Sequence, residues 1–138
     1  MLYEELTAKI LESCFEVSNE LGVGYIESVY ENALFVSLLQ KDIKATRQVP
    51  LKVTFRCVIV GDFKADMLVE GKVLLELKAV DSLAKAHYAQ LLNYLKTTGI
   101  EVGMVINFGC TRLQYRRFDN RFEIERSENE LFPSLLDE

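Results

Sequence analysis

Two charged side chains stand two residues apart in an otherwise apolar segment, Val73-Leu74-Leu75-Glu76-Leu77-Lys78. The segment is typical of a strand that is buried on both faces. Because side chains alternate across a strand, Glu76 and Lys78 project from the same face. Charges are seldom placed in buried strands unless they pair with one another or bind a metal. We therefore expect this face of the strand to carry a metal-binding or reactive site.

A second carboxylate precedes this pair by one strand. Asp66 lies in another apolar stretch, Ala65-Asp66-Met67-Leu68-Val69, ten residues before Glu76. Two carboxylates and a lysine on neighbouring strands suit a hard divalent cation and an activated water. The sequence therefore predicts metal-assisted chemistry at Asp66, Glu76 and Lys78.

The register of the intervening hairpin decides whether the two acids meet. A three-residue loop centred on Gly71 places Asp66 opposite Glu76, with their Cβ atoms about 5 Å apart. A two-residue turn at Glu70-Gly71 instead pairs Ala65 with Glu76 and sends Asp66 to the other face. We favour the first register, because the second would leave a carboxylate in the core.

Hydrophobic periodicity predicts the elements that position these residues. Helices are expected at about 3–21, 27–41 and 82–98, and strands at 45–60, 63–69, 72–78, 102–108 and 113–118. Turns are expected at Gly61-Asp62, Glu70-Gly71 and 119–121, and Ser28 and Glu31 have the spacing of a capping box. The order α-α-β-β-β-α-β-β predicts an α/β-type fold with a mixed sheet and a right-handed helical crossover.

Length and composition bound the class of protein. A chain of 138 residues, with 49% hydrophobic and 27% charged residues, suggests one globular domain over 1–138 with an acidic tail from about 119. The net charge of −5 counts against a dedicated nucleic-acid binder. Cys14, Cys57 and Cys110 form no CxxC pair, which argues for reduced thiols in the cytoplasm over disulfides or zinc. No apolar run has transmembrane length, so no membrane partner is expected.

These motifs resemble a known group of proteins. Asp66, followed by Glu76-Leu77-Lys78 on the next strand, resembles the signature of the PD-(D/E)XK nuclease superfamily, whose core is restriction-endonuclease-like. Gly24-Tyr25-Ile26-Glu27-Ser28-Val29-Tyr30 matches the pattern that names the GxxExxY family. Other segments similar to that family are 61–66, 87–91, 93–96 and 106–109. The resemblance covers about residues 5–118, and it departs from the superfamily's name at Ala65, where the name has proline.

The resemblance implies a metal site. Asp66 and Glu76 would ligate Mg²⁺ or Mn²⁺, with the main-chain carbonyl of Leu77 as a third protein ligand. Glu27 would reach the same site from the early helix, either through a water or as a ligand to a second cation.

The resemblance also implies a reaction. Lys78 would orient or deprotonate the attacking water and help to neutralise the phosphate, and Gln90 would orient that water or Lys78. The implied activity is Mg²⁺-dependent hydrolysis of phosphodiesters in DNA or RNA. A homodimer would help so small a domain to grip a duplex.

Structural explanations remain open for the same residues. Glu76 and Lys78 could form a pair on a solvated strand face, and Asp66 could be a charge that protects an edge strand from aggregation. If Ser28 is the N-cap, Glu27 lies just outside the helix and favours its positive end. At the level of function, the alternatives are a non-catalytic binding module with the same fold and a metal-dependent hydrolase of small phosphorylated molecules.

Overall fold

Residues 1–119 are described by the computed structural model, and they form three helices and five strands. The elements are α1 (Glu4–Leu21), α2 (Glu27–Gln40), β1 (Ala45–Phe55), β2 (Val58–Val69), β3 (Val73–Lys78), α3 (Lys85–Thr98), β4 (Val102–Asn107) and β5 (Gln114–Asp119). This is the predicted order. The predicted turn at 119–121 and the acidic tail lie, beyond Asp119, outside the described residues. Along residues 1–119 no helix combines the length and apolar content needed to cross a bilayer.

The five strands form one sheet in the order β1-β2-β3-β4-β5. β3 and β4 run parallel, and the other neighbouring pairs are antiparallel. The helix α3 links the two parallel strands, as a parallel pair requires a crossover connection. The predicted mixed sheet is therefore confirmed, and β3, which carries Glu76 and Lys78, is its central strand.

The two faces of β3 pack against different helices. Leu75 and Leu77 belong to a buried cluster with Ile10 of α1 and Leu34 of α2. Leu74, on the opposite face, belongs to a second cluster with residues of α3, among them Leu91 and Leu95. Since side chains alternate along a strand, Glu76 and Lys78 share the face that α3 covers.

The turn between β1 and β2 corrects the sequence prediction. The chain turns at Arg56 and Cys57, which adopt φ angles of 51° and 66°, and not at Gly61-Asp62. The prediction failed because tight hairpin turns usually signal themselves with Asn or Gly at positive φ, and neither is present here. Gly61 instead lies within β2 beside a bulge, where a Cβ atom would come within 2.6 Å of the Phe63 ring.

The start of α2 is a second correction. The helix begins at Glu27 with Ile26 as its N-cap, so Ser28 is inside the helix and forms no capping box. Glu31, the other half of the predicted box, is buried and accepts hydrogen bonds from Arg47. The Glu31 side chain therefore binds a residue of β1, and it does not cap the helix as the local pattern predicts.

The start of α3 is also later than predicted, at Lys85 instead of Ser82. His87 stabilises this end, because its Nδ1 accepts a hydrogen bond of 3.0 Å from the Ala84 N–H. The residues between β3 and α3 form a connecting loop, and this loop begins directly after Lys78.

Candidate active site

The β2–β3 hairpin has the register that brings the two acids together. Val69 pairs with Val73 and Met67 with Leu75, which leaves a three-residue loop centred on Gly71. The same register, continued by one step, sets Asp66 opposite Glu76. The first two loop residues, Glu70 and Gly71, have positive φ, a conformation that glycine adopts without strain.

Asp66 takes part in the backbone pairing of the neighbouring strand. Its Oδ2 accepts a hydrogen bond of 2.7 Å from the Leu77 N–H, which fixes the carboxylate at the end of the ladder. Burial raises the pKa of Asp66, the Leu77 N–H opposes that rise, and the negative charges of Glu31 and Glu27 add to it. The second oxygen of a carboxylate held in this way can still bind a cation.

Glu76 is a buried carboxylate with an unsatisfied oxygen. The residue is 5% exposed, and its Oε1 has no hydrogen-bond partner. Burial, and then the negative charge of Asp66, raises the pKa of Glu76 to about 8, against a smaller opposing effect of Lys78. A buried polar atom without a partner is expensive and is often explained by an absent ion or water.

Lys78 is held from the opposite helix. Its Nζ lies 3.5 Å from Oε1 of Gln90, and Nε2 of Gln90 donates a hydrogen bond of 2.9 Å to the Tyr94 hydroxyl. Burial and the charge of Glu76 raise the pKa of Tyr94. The structure thus brings Gln90 to Lys78, and it adds Tyr94, which stands one helical turn after Gln90 and was not predicted.

Glu27 approaches the same region from α2. It is exposed as the first residue of that helix, and it lines a surface hollow of about 430 Å³ together with Ala79, the neighbour of Lys78. Its charge raises the pKa of both Asp66 and Glu76. These facts locate Glu27 at the margin of the site.

Glu31 is an acidic residue that the sequence analysis did not assign to the site. Its carboxylate accepts hydrogen bonds of 3.1 Å from Arg47 Nε and 2.7 Å from Gln48 Nε2. Its negative charge raises the pKa of Asp66. The signal was available in the sequence, because Glu27 and Glu31 are four residues apart and share one helix face.

The donor set suits a divalent metal ion. Asp66 and Glu76 offer carboxylate oxygens, one of them buried and unpaired, and Mg²⁺ and Mn²⁺ prefer oxygen ligands. Within residues 1–119, however, no group of three or more His, Cys, Asp or Glu side chains is close enough together to hold a metal ion. The site is therefore built around one pair of acids, and Leu77 and Glu27 stay predicted ligands.

A buried amide fixes the chain after Lys78. Oδ1 of Asn107 accepts hydrogen bonds of 2.9 Å from the N–H groups of Val80 and Gly109, and its Nδ2 donates one of 2.9 Å to the Val80 carbonyl. The backbones approach so closely that a Cβ at Gly109 would lie 2.3 Å from the Val80 oxygen. The segment 106–109, conspicuous in the sequence, thus acts by holding the loop beside the site.

Tyr30 fixes the loop that precedes Glu27. Its buried hydroxyl donates to the Gly22 carbonyl at 2.7 Å and accepts from the Tyr25 N–H at 3.3 Å. Its ring stacks on Phe108 with centroids 5.0 Å apart. In the Gly24-x-x-Glu27-x-x-Tyr30 segment, the tyrosine is therefore a core residue that positions the loop.

Comparison with known proteins adds a family and a fold. A model of the PD-(D/E)XK nuclease superfamily matches residues 4–118. The protein of "Crystal structure of SSO0001" is similar to this chain with a TM-score of 0.55 and 18% identity, over 93% of this chain and 66% of that one, so this chain spans slightly less than two thirds of its length. An alkaline exonuclease (LHK-Exo) from Laribacter hongkongensis has a TM-score of 0.46 and 11% identity, over 98% and 81%. No curated protein matches the chain. At 18% identity, the first of these structures bears on the fold alone.

Proposed function

Because the chain belongs to the PD-(D/E)XK nuclease superfamily, we propose that it is a nuclease that hydrolyses phosphodiester bonds with the help of Mg²⁺ or Mn²⁺. The GxxExxY segment at 24–30 supports a place in that family within the superfamily. The proposed substrate is DNA or RNA, and the proposed location is the cytoplasm.

The observation that carries the proposal is the unpaired oxygen of Glu76 beside Asp66. Two carboxylates share a mostly buried position, and the negative charge of Asp66 raises the electrostatic cost of ionising Glu76. A structural ion pair would have satisfied this charge, but the lysine on the same strand points to Gln90 instead. A divalent cation between the two acids would remove the repulsion and give the free oxygen a ligand.

Each residue of the site then has a defined task. When bound, the cation would polarise a phosphoryl oxygen and lower the pKa of a water in the site. Asp66 and Glu76 would hold the cation, and the Leu77 N–H keeps Asp66 in place. The Lys78 ammonium faces the phosphate, offsets the negative charge that grows during attack, and orients the water. Gln90 fixes the direction of that ammonium.

A cleavage screen tests the proposal. The purified chain is incubated with single- and double-stranded DNA and RNA, and with a small chromogenic phosphodiester, in Mg²⁺, in Mn²⁺ and in EDTA. We expect metal-dependent cutting of at least one nucleic acid, which Glu76→Ala abolishes. Asp62→Ala is the matched control, because Asp62 is an exposed acid of the same hairpin. Cutting that persists in Glu76→Ala, or that survives EDTA, contradicts the proposed site.

A non-catalytic binding module is the second candidate. The net charge of −5 and the absence, along residues 1–119, of a three-residue metal cluster favour it. Such a module would bind nucleic acid and leave it uncut in every metal. Hydrolysis of the chromogenic phosphodiester alone would instead favour a hydrolase of small phosphorylated molecules.

A further inference from the structure

A large pocket lies between the β1–β2 hairpin and α3. It has a volume of about 670 Å³, within the usual range for small-molecule sites. Val53 and Phe63 form the hairpin wall, and one face of α3 forms the other side. The helix contributes small residues at Ala86 and Ala89, and these leave the space that larger side chains would have filled.

The pocket adjoins the proposed active site at Gln90. Gln90 lines the pocket and accepts from Lys78, and Tyr94 lines the pocket and binds Gln90. If the phosphate of a nucleotide lies at Lys78, the pocket is therefore the space beside that nucleotide on the side of α3.

The lining combines aromatic surface with hydrogen-bonding groups. The Phe63 ring is 44% exposed, and its centroid lies 5.9 Å from that of Tyr94. Asn93 supplies an exposed amide that both donates and accepts. His87 uses Nδ1 as an acceptor at the helix start, which leaves Nε2 as the donor of the ring.

The charge of the lining suits an anionic chain. Among the described residues that line the pocket, Lys96 is a cation and none is an Asp or a Glu. This contrasts with the acidic balance of the whole chain. A polyanion can therefore pass this side of the site without meeting a carboxylate of the pocket.

We propose that the pocket receives an unpaired nucleobase of the nucleic-acid substrate, next to the phosphate that is cut. This inference rests on the proposed nuclease function and narrows it to substrates with a single-stranded segment. The base stacks on Phe63, because an aromatic ring accepts any base by its face. Asn93 and His87 then bind polar atoms on the edge of the base. A base inside a duplex keeps both faces stacked and cannot enter.

Binding measurements test the pocket separately from cleavage. The 138-residue chain is titrated, in Mg²⁺, against fluorescent phosphorothioate oligonucleotides, which resist hydrolysis with this cation. The three probes are a single strand, the same strand with abasic sites, and the matching duplex. We expect the single strand to bind about tenfold more tightly than the abasic strand. Phe63→Ala removes this difference, and Phe63→Tyr keeps it.

Two further variants keep the test decisive. Phe55→Ala is the matched control, since Phe55 is an exposed aromatic residue of the same hairpin that does not line the pocket, and we expect normal binding. Asn93→Ala changes an exposed residue of α3, and we expect it to reduce discrimination among the four bases. Circular dichroism of Phe63→Ala checks that the domain has folded.

The outcomes separate this inference from the proposed function. If the chain cuts nucleic acid but binds the abasic strand as tightly as the normal one, the base pocket is wrong and the nuclease stands. If Phe63→Ala converts a dimer into monomers and leaves binding unchanged, the pocket holds a second copy of the chain and the inference is again wrong. If no nucleic acid is bound or cut, the proposed function itself fails, and the pocket assignment falls with it.

Discussion

The two ends of β2 reverse the usual distribution of polar and apolar residues in different ways. At the end that joins β3, Asp66 and Glu76 place carboxylates in a largely buried setting. At the other end, the hairpin tip exposes Phe55, Val58, Ile59 and Val60 to 55–61% of their surface. Both arrangements oppose the tendency of charges to be outside and large apolar groups inside.

The comparison teaches that the two departures have different physical consequences. The buried acids raise the free energy of the folded protein until a cation or a proton compensates them. The exposed apolar side chains at the tip change the free energy of the folded protein little, because a solvent-facing valine is nearly as hydrated as it is in the unfolded chain. The first region is therefore under strain and chemically reactive, whereas the second is a surface available for contact. The following experiments test this contrast.

The largest effect is expected on cleavage. Lys78→Ala removes the ammonium that Gln90 orients, and we expect the rate of phosphodiester cutting to fall about 100-fold or more. The measurement is the initial rate under the metal conditions of the screen. Lys9→Ala, which changes an exposed lysine of α1, should leave the rate unchanged. Equal rates in wild type and Lys78→Ala would point to another site or to a contaminating enzyme.

The next effect concerns metal and stability. Mg²⁺ or Mn²⁺ should raise the Tm of the wild type. At a metal concentration of about a hundred times Kd, binding adds about 2.7 kcal/mol to the free energy of unfolding. Asp66→Ala should abolish this shift, because half of the carboxylate pair is gone. Asp62→Ala, in the exposed part of β2, should retain it. Thermal melts with and without the metal measure both, and an undiminished shift in Asp66→Ala would exclude the assigned metal site.

The pH dependence of the metal-free protein tests the strain directly. With its pKa raised from 4.5 to about 8, folded Glu76 keeps a proton that the unfolded chain releases, so stability should fall as pH rises through this window. Glu76→Gln should remove up to about 5 kcal/mol of that loss, because a pKa difference of one corresponds to about 1.4 kcal/mol and the pKa of Glu76 is raised from 4.5 to about 8. Urea titrations in EDTA at several pH values measure it.

The control for this experiment has the opposite sign. The hydrogen bond from Lys41 lowers the pKa of Glu16, so Glu16 stabilises the protein above its ordinary pKa and loses that contribution as pH falls. Glu16→Gln should therefore reduce stability at neutral pH. If both variants change the pH profile in the same direction, burial of Glu76 does not explain the profile.

The smallest effect is expected at the hairpin tip. Val58→Thr and Val60→Thr keep a β-branched side chain at exposed positions, and stability should change by no more than about 0.5 kcal/mol. Leu75→Ala, in the fully buried part of β3, should cost about 2–5 kcal/mol in the same urea titrations. A large loss of stability at the tip would mean that these side chains are covered in solution, for example by a second copy of the chain.

Local patterns were sufficient to predict the fold class and the shared strand face of Glu76 and Lys78. The alternation of β3 fixes Glu76 and Lys78 on one face, because it follows from the covalent geometry of an extended chain. The argument against a stranded carboxylate selected the correct register for Asp66. Local patterns failed where their signals were weak or shared, as in the turn at Arg56-Cys57 and the supposed capping box of Ser28.

The sequence by itself determined the order of the elements and the charges that β3 carries, because period and alternation are encoded residue by residue. The tertiary structure alone decided that the charge of Glu31 raises the pKa of Asp66 and that the hairpin and α3 enclose a pocket. Such contacts join segments that are distant in the chain, and they depend on how whole helices and strands pack. No local pattern specifies that packing, so the pairing of Asp66 with Glu76 across the hairpin was predictable from the sequence and these contacts were not.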